Sequence, residues 1–143
     1  MDTHMGVCGA DTLRRCTLVH AGLNAIGRGL LLVEESTLCG YSLINFRSDY
    51  GSSWECDGVI RNCRWIPACG RTFYPQMFRV GNDGTHDFGY DCSMPHEITI
   101  DGLYVDDSNH PGGYQGLLFL SNPGGSDPTD SAFPYTRCRK LTI

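Results

Sequence analysis

Apolar positions recur along this chain in a short motif, apolar-x-x-apolar-x-apolar. It falls on Leu13, Cys16 and Leu18 in "DTLRRCTLV", on Ile60, Cys63 and Trp65 in "GVIRNCRWI", and on Ile100, Leu103 and Val105 in "ITIDGLYVD". Alternation of this kind predicts strands. A second apolar run follows each one: "GLLLVEES" from Gly29, "QMFRVGND" from Gln76 and "GLLFLSNP" from Gly116. The offset between the two runs is 18 residues in all three units, Leu13 to Leu31, Ile60 to Phe78 and Ile100 to Leu118. A third strand is clear in "GYSLINFRS" from Gly40 and faint in "FGYDCSM" from Phe88. The closing "RKLTI" repeats "HEITI", so the first-strand anchors Leu13, Ile60, Ile100 and Ile143 lie 47, 40 and 43 residues apart.

Short strands returning in a fixed order predict an all-β fold, a right-handed parallel β-helix of just over three coils. The coils begin near residues 11, 58, 98 and 141, within a single domain over 1–143 whose first ten residues form an N-terminal segment. A β-sandwich is the alternative, although it does not require equal offsets. No window holds the 3.6-residue period for three turns, which argues against a helix-rich fold. Stacked strands lie about 4.8 Å apart. Cys16, Cys63 and Leu103 then form one inward column, and Leu18, Trp65 and Val105 another. Both cysteines read as small buried hydrophobes.

Two residues, not one, separate the first two apolar positions of each motif. A bend through left-handed dihedrals accounts for this. Asn62 and Gly102 tolerate such dihedrals, and Arg15 in the first unit suits them less well. On the outer face Arg14, Arg61 and Asp101 align, so Arg61 can pair with Asp101. On the second strands Leu30, Leu32, Met77, Arg79, Leu117 and Phe119 fall outward. The apolar ones need cover, from loops of the chain or from a partner subunit. The last motif stops at Ile143 without a cap, which predicts a slice of a longer β-helix or a chain capped by something else.

Composition narrows the partners. A chain of 143 residues, 41% hydrophobic, can bury a sizeable core. A net charge of −5 argues against nucleic acid as a partner. No segment reaches the roughly 18–20 apolar residues of a membrane span. The start, "MDTHMGVCGAD", lacks the basic and apolar regions of a signal peptide. The eight cysteines include no C-x-x-C and no zinc-spaced Cys/His cluster, so no metal site is expected. Nucleophile-elbow, P-loop and dinucleotide motifs are absent.

The strings "NFRSDYGSSWECDGVIRNCRWIP", "HDFGYDCSMPHEITIDGLYVDDSNHPGGYQG" and "FPYTRCRKLTI" resemble the pectate-lyase-like superfamily of right-handed β-helix proteins. More narrowly they look like a bacterial subgroup of it, over about residues 11–143, with "RSDYGSSW" and "DDSNHP" the most specific strings. The resemblance implies a polysaccharide partner, since many relatives are lyases, glycoside hydrolases or tailspike depolymerases. The subgroup has no assigned chemistry, so no catalytic residue is carried over. The resemblance also implies an extracellular or cell-surface setting, and a chain that continues past Ile143. No cofactor is firmly implied, but a lyase would use Ca²⁺ held by carboxylates.

Three loops carry candidate chemistry. The first holds Asp106, Asp107 and His110. A hydrolase needs two carboxylates about 5 Å or about 6.5–9.5 Å apart, which gives this trio a catalytic reading. The competing reading is a turn. Asp107 would face inward if the strand continued, so the strand should stop at Val105 and the carboxylates should bind nearby backbone N–H groups. The matching positions in other units, Ile66-Pro67 and Val19-His20, hold no acid to complete a dyad. The second loop offers Arg47, Asp49, Tyr50 and Trp54 as substrate-binding residues, an aromatic ring to stack on a pyranose and charges to bind hydroxyls. An Arg47–Asp49 contact pinning the loop is the alternative. The third offers His86 and Asp87, with Asp91, beside the second loop if the faint third strand stacks. Two functions remain open: a carbohydrate-active or carbohydrate-binding module, and a non-enzymatic structural or adhesion segment of surface or tail-fibre type. Further partners would be copies of the chain or adjoining coils.

Overall fold

The computed structural model describes residues 10–19, 23–25, 29–40, 42–46, 57–67, 76–80, 92–93, 95–108, 135–136 and 138–143. These form twelve strands: β1 (Asp11–Arg14), β2 (Thr17–Val19), β3 (Leu23–Ala25), β4 (Leu31–Glu34), β5 (Thr37–Gly40), β6 (Ser42–Phe46), β7 (Gly58–Pro67), β8 (Gln76–Val80), β9 (Cys92–Ser93), β10 (Glu97–Val105), β11 (Tyr135–Thr136) and β12 (Lys140–Thr142). The described residues contain no helix, and none therefore long and apolar enough to cross a membrane. Every strand pair among them is parallel. That sets the fold apart from an antiparallel sandwich, because parallel neighbours need a crossover between them.

The largest sheet runs β1-β4-β7-β10-β12, with β2 beside β5 and β5 beside β7. A second sheet runs β3-β6-β8, and β9 pairs with β11 in a third. Along the chain the strands leave the large sheet and return to it repeatedly: β1 and β2, then β3 in the second sheet, then β4 and β5, then β6, then β7, then β8. The buried side chains of the two larger sheets make one core. It includes Leu13, Leu31, Val33, Leu38, Ile60, Trp65, Ile98 and Ile100 from the large sheet, and Leu23, Ile44, Phe46 and Phe78 from the second. The Phe46 and Phe78 rings pack with centroids 6.2 Å apart.

The described strands bend at four positions, three of them expected and one unforeseen. Arg15 (φ 53°), Asn62 (φ 50°) and Gly102 (φ 77°) all adopt left-handed dihedrals, and so does Glu35 (φ 50°). The bend resets the alternation, which lets Ile60 and Cys63 both face the core although two residues separate them. Glu35 marks a strand that the repeat had placed elsewhere. Leu31–Gly40 does not belong with β8. It lies between β1 and β7, with Leu13 beside Val33 and Val33 beside Ile60. The return from Asp11 to Leu31 takes 20 residues and that from Leu31 to Gly58 takes 27, against 40 and 43 for the later returns. The first return is short, so the 18-residue offset from Leu13 to Leu31 linked neighbours in one sheet, whereas that from Ile60 to Phe78 crosses to another. The true neighbour of β8 is β6, with Ile44 beside Phe78.

The inward columns survive with this extra member. Cys63 is beside Leu103, and Ser36 sits between Cys16 and Cys63. Ser36 is buried at little cost because its hydroxyl donates to Glu34 O (2.8 Å) and accepts from Cys16 N (3.1 Å). Cys16 and Cys63 are free thiols two strand spacings apart, roughly 9–10 Å, too far for a disulfide. The Cys63 thiol donates to Arg61 O at 3.2 Å, and burial pushes its pKa up. Cys39 is disulfide-bonded. The adjoining column runs Leu18, Leu38, Trp65 and Val105.

Three further expectations change. Met77, expected outward, is buried, because both it and Phe78 join the core next to the equally buried pair Leu43 and Ile44. Ile66 and Pro67 are not loop residues: β7 continues through them because β5 pairs there, Cys39 beside Ile66 and Gly40 beside Pro67. Cys92 and Ser93, the described part of the faint third strand, pair with Tyr135 and Thr136, while β6 lies between β3 and β8. Leu117 and Phe119 lie outside the described residues.

Candidate functional site

The bend at Asn62 and Gly102 decides what faces solvent beyond it. With Cys63 and Trp65 inward on β7, Arg64 points out. With Leu103 and Val105 inward on β10, Tyr104 points out. Arg64 and Tyr104 are partners in register on adjacent strands. The guanidinium lies over the Tyr104 ring, 5.7 Å from its centroid, a cation–π geometry. Tyr104 is 64% exposed, so its other face is open to solvent.

β10 stops at Val105, as the two following carboxylates predict. Asp106 N still donates to Trp65 O (2.8 Å), and the chain then turns. One Asp106 oxygen accepts from Ser108 N (3.2 Å) and from Ser108 Oγ (2.6 Å), an Asx-type turn. The other oxygen accepts from Arg64 and forms an ion pair with it. Hydrogen bonds from Ser108, and then the Arg64 guanidinium, lower the Asp106 pKa to about 2. Such a carboxyl is ionised throughout the neutral range and has no proton to give as a general acid. Among the described residues, Asp107 Oδ1 is buried without a hydrogen-bond partner. Of the two readings of this loop, the hydrogen bonds of Asp106 favour the turn.

The bend itself carries further charges outward. Arg14 pairs with Glu34 (2.9 Å) and Glu35 (3.6 Å), Arg15 with Glu35 (3.5 Å), and Arg61 with Asp101 (3.5 Å), the last as the alignment predicts. In register the row reads Arg14, Glu34, Arg61, Asp101, with signs alternating from strand to strand. Each exposed pair contributes only about 0–1 kcal/mol. Their arrangement matters more for what can bind than for stability.

Of the residues singled out in the sequence, Asp106 and Asp107 lie on this corner. His110, Arg47, Asp49, Tyr50, Trp54, His86, Asp87 and Asp91 lie outside the described residues. Among the described residues no group of three or more His, Cys, Asp or Glu could hold a metal ion. Arg64 and Tyr104 escaped notice because the ion pair joins residues 42 apart. The usable signal was the alternation beyond the bend, which turns both side chains outward.

The ionisation of Asp106 can be measured directly. In a carboxyl-carbon NMR titration it should titrate near 2, about two units below an ordinary Asp. Ser108→Ala should raise the value more than Arg64→Met, following the order of the two causes. Because the folded pKa is depressed, this carboxylate stabilises the fold above the ordinary Asp pKa. That contribution is lost as pH falls from about 4 towards 2. A titration midpoint near 4 in the native protein would show that neither contact holds the carboxylate.

No protein-family model, no curated protein and no solved structure matches this chain.

Proposed function

We propose that the chain is part of a right-handed parallel β-helix of the pectate-lyase-like kind, and that it binds a polysaccharide on the outer corner formed by Tyr104, Arg64 and Asp106. The architecture draws support from the order of the strands. From β1 to β8 the chain alternates between two parallel sheets that share one core, and each return to the large sheet adds a strand beside the last. Parallel crossovers are right-handed in nearly all proteins. The observation that carries the binding function is the exposed Tyr104 ring, with the Arg64 guanidinium over one face and the other face open. A pyranose offers an apolar C–H face and a rim of hydroxyls. The open face of the tyrosine takes the C–H face, and the Arg64–Asp106 pair offers donors and acceptors to hydroxyls of a neighbouring sugar unit.

Binding is favoured over cleavage because both Asp106 oxygens are engaged by Ser108 and Arg64. The same engagement favours a purely structural corner as the second reading. A panel of acidic and neutral polysaccharides, with and without Ca²⁺, separates the possibilities. Retardation of the protein in polysaccharide-containing native gels is expected, with no release of unsaturated or reducing ends. Tyr104→Ala should weaken retardation at least about tenfold while leaving the circular dichroism spectrum intact. Chain cleavage would replace binding by catalysis, and a panel without retardation would leave the structural reading.

A further inference from the structure

The charge pattern of the outer face bears on which polymers it can accept, given the binding function proposed above, on which this inference rests. Four arginines emerge around the bend, Arg14, Arg15, Arg61 and Arg64. Each is paired with a carboxylate of the same face: Arg14 with Glu34, Arg15 with Glu35, Arg61 with Asp101 and Arg64 with Asp106. Acidic and basic side chains therefore balance across these strands. No run of unpaired arginines awaits an anion among the described residues, and the chain as a whole carries −5.

We propose that this face takes a neutral polysaccharide, with one pyranose ring on the open face of Tyr104 and hydroxyls of a neighbouring sugar unit at Arg64 and Asp106. A uronate or sulfated polymer laid on Tyr104 would bring its charges beside Asp106 and near Asp101, which is 70% exposed at its side chain. The charge of Arg61 and of Arg64 is already neutralised by a tethered carboxylate, so an anion approaching either gains no net attraction. The paired carboxylate would repel it. A neutral hydroxyl meets no such penalty. Arg64 spends one part of its fork on Asp106, and a guanidinium has five N–H donors in all. The remaining donors can serve hydroxyls while the ion pair stays intact. Attraction of this kind is insensitive to salt, whereas capture of an anionic polymer is screened by it.

The test is native affinity electrophoresis of the whole chain in gels containing single polymers, at low salt and at about 0.3 M NaCl. The neutral set is β-1,4-galactan, xyloglucan, arabinoxylan and glucomannan. The acidic set is polygalacturonate, alginate and hyaluronate. The expected result is retardation by at least one neutral polymer, unaltered by salt, lost in Tyr104→Ala, and absent with all three acidic polymers. The double variant Glu35→Gln, Asp101→Asn removes two carboxylates and leaves Arg15 and Arg61 uncompensated. It should acquire a salt-sensitive retardation by polygalacturonate. Stronger retardation of the native protein by an acidic polymer than by any neutral one would overturn the neutral-ligand inference and leave polysaccharide binding standing. Neutral retardation that survives Tyr104→Ala would overturn the placement on this corner. Retardation by neither set would overturn both the inference and the binding function beneath it.

Discussion

Trp65→Ala is expected to cost about 3–5 kcal/mol of folding stability, a large share of what a domain of this size possesses. Trp65 is fully buried and is the largest buried side chain among the described residues. It stands in the middle of a column, with Leu38 on one strand and Val105 on the other, so its removal leaves a void lined from both sides. Its indole N–H also donates to Gly40 O at 3.1 Å. The two contributions separate in a pair of variants. Trp65→Phe keeps most of the volume but leaves the Gly40 carbonyl, in a buried position, without its donor, and should cost about 1–3 kcal/mol. Urea unfolding followed by far-ultraviolet circular dichroism measures both. A Trp65→Ala midpoint close to that of the native protein would mean that the column is not packed as described. Loss of the fold altogether in Trp65→Ala makes Trp65→Phe the deciding variant, with its smaller shift still required.

Gly102→Val should destabilise by about 2–3 kcal/mol, through backbone strain rather than loss of burial. Gly102 sits at φ 77°, where a β-branched side chain is poorly tolerated. A Cβ placed there would also come within 2.8 Å of Asn62 Oδ1 on the neighbouring strand. The oxygen is the tip of a side chain and can swing away, so the steric part is recoverable and the strain is not. Gly102→Val combined with Asn62→Gly should therefore regain only a minor part of the loss. Gly102→Asn should cost less than Gly102→Val, since Asn tolerates the left-handed region. Equal stability of Gly102→Val and the native protein would sink the strained-bend account.

Part of the candidate site follows from the same bend. The turn after Val105 was legible, because two adjacent carboxylates cannot continue a strand that buries every second residue. The partner of Asp106 was not. Arg64 reaches it only because β7 and β10 pair in a register that places Arg64 beside Tyr104 and Trp65 beside Val105. Shifting that register by one residue would turn Arg64 away and send Trp65 to the surface.

Local pattern was enough to determine that the described residues are all-β, that the long strands bend at Asn62 and Gly102, and that Cys63, Trp65, Ile60 and Ile100 face the core. Those properties depend on two-residue alternation and on which side chains tolerate positive φ, both of which are written into a few neighbouring residues. Only the tertiary structure decided where Leu31–Gly40 belongs. An apolar run of period two has the same appearance in any sheet, and Glu35, unlike Asn or Gly, gives no hint that it occupies a bend. Its place between β1 and β7 is set by hydrogen bonds such as Glu35 N to Arg61 O and Thr37 N to Cys16 O, and by the match of Val33 to Leu13 and Ile60. Strand neighbours are chosen by contacts across 20 to 40 residues of chain, and no local pattern records them.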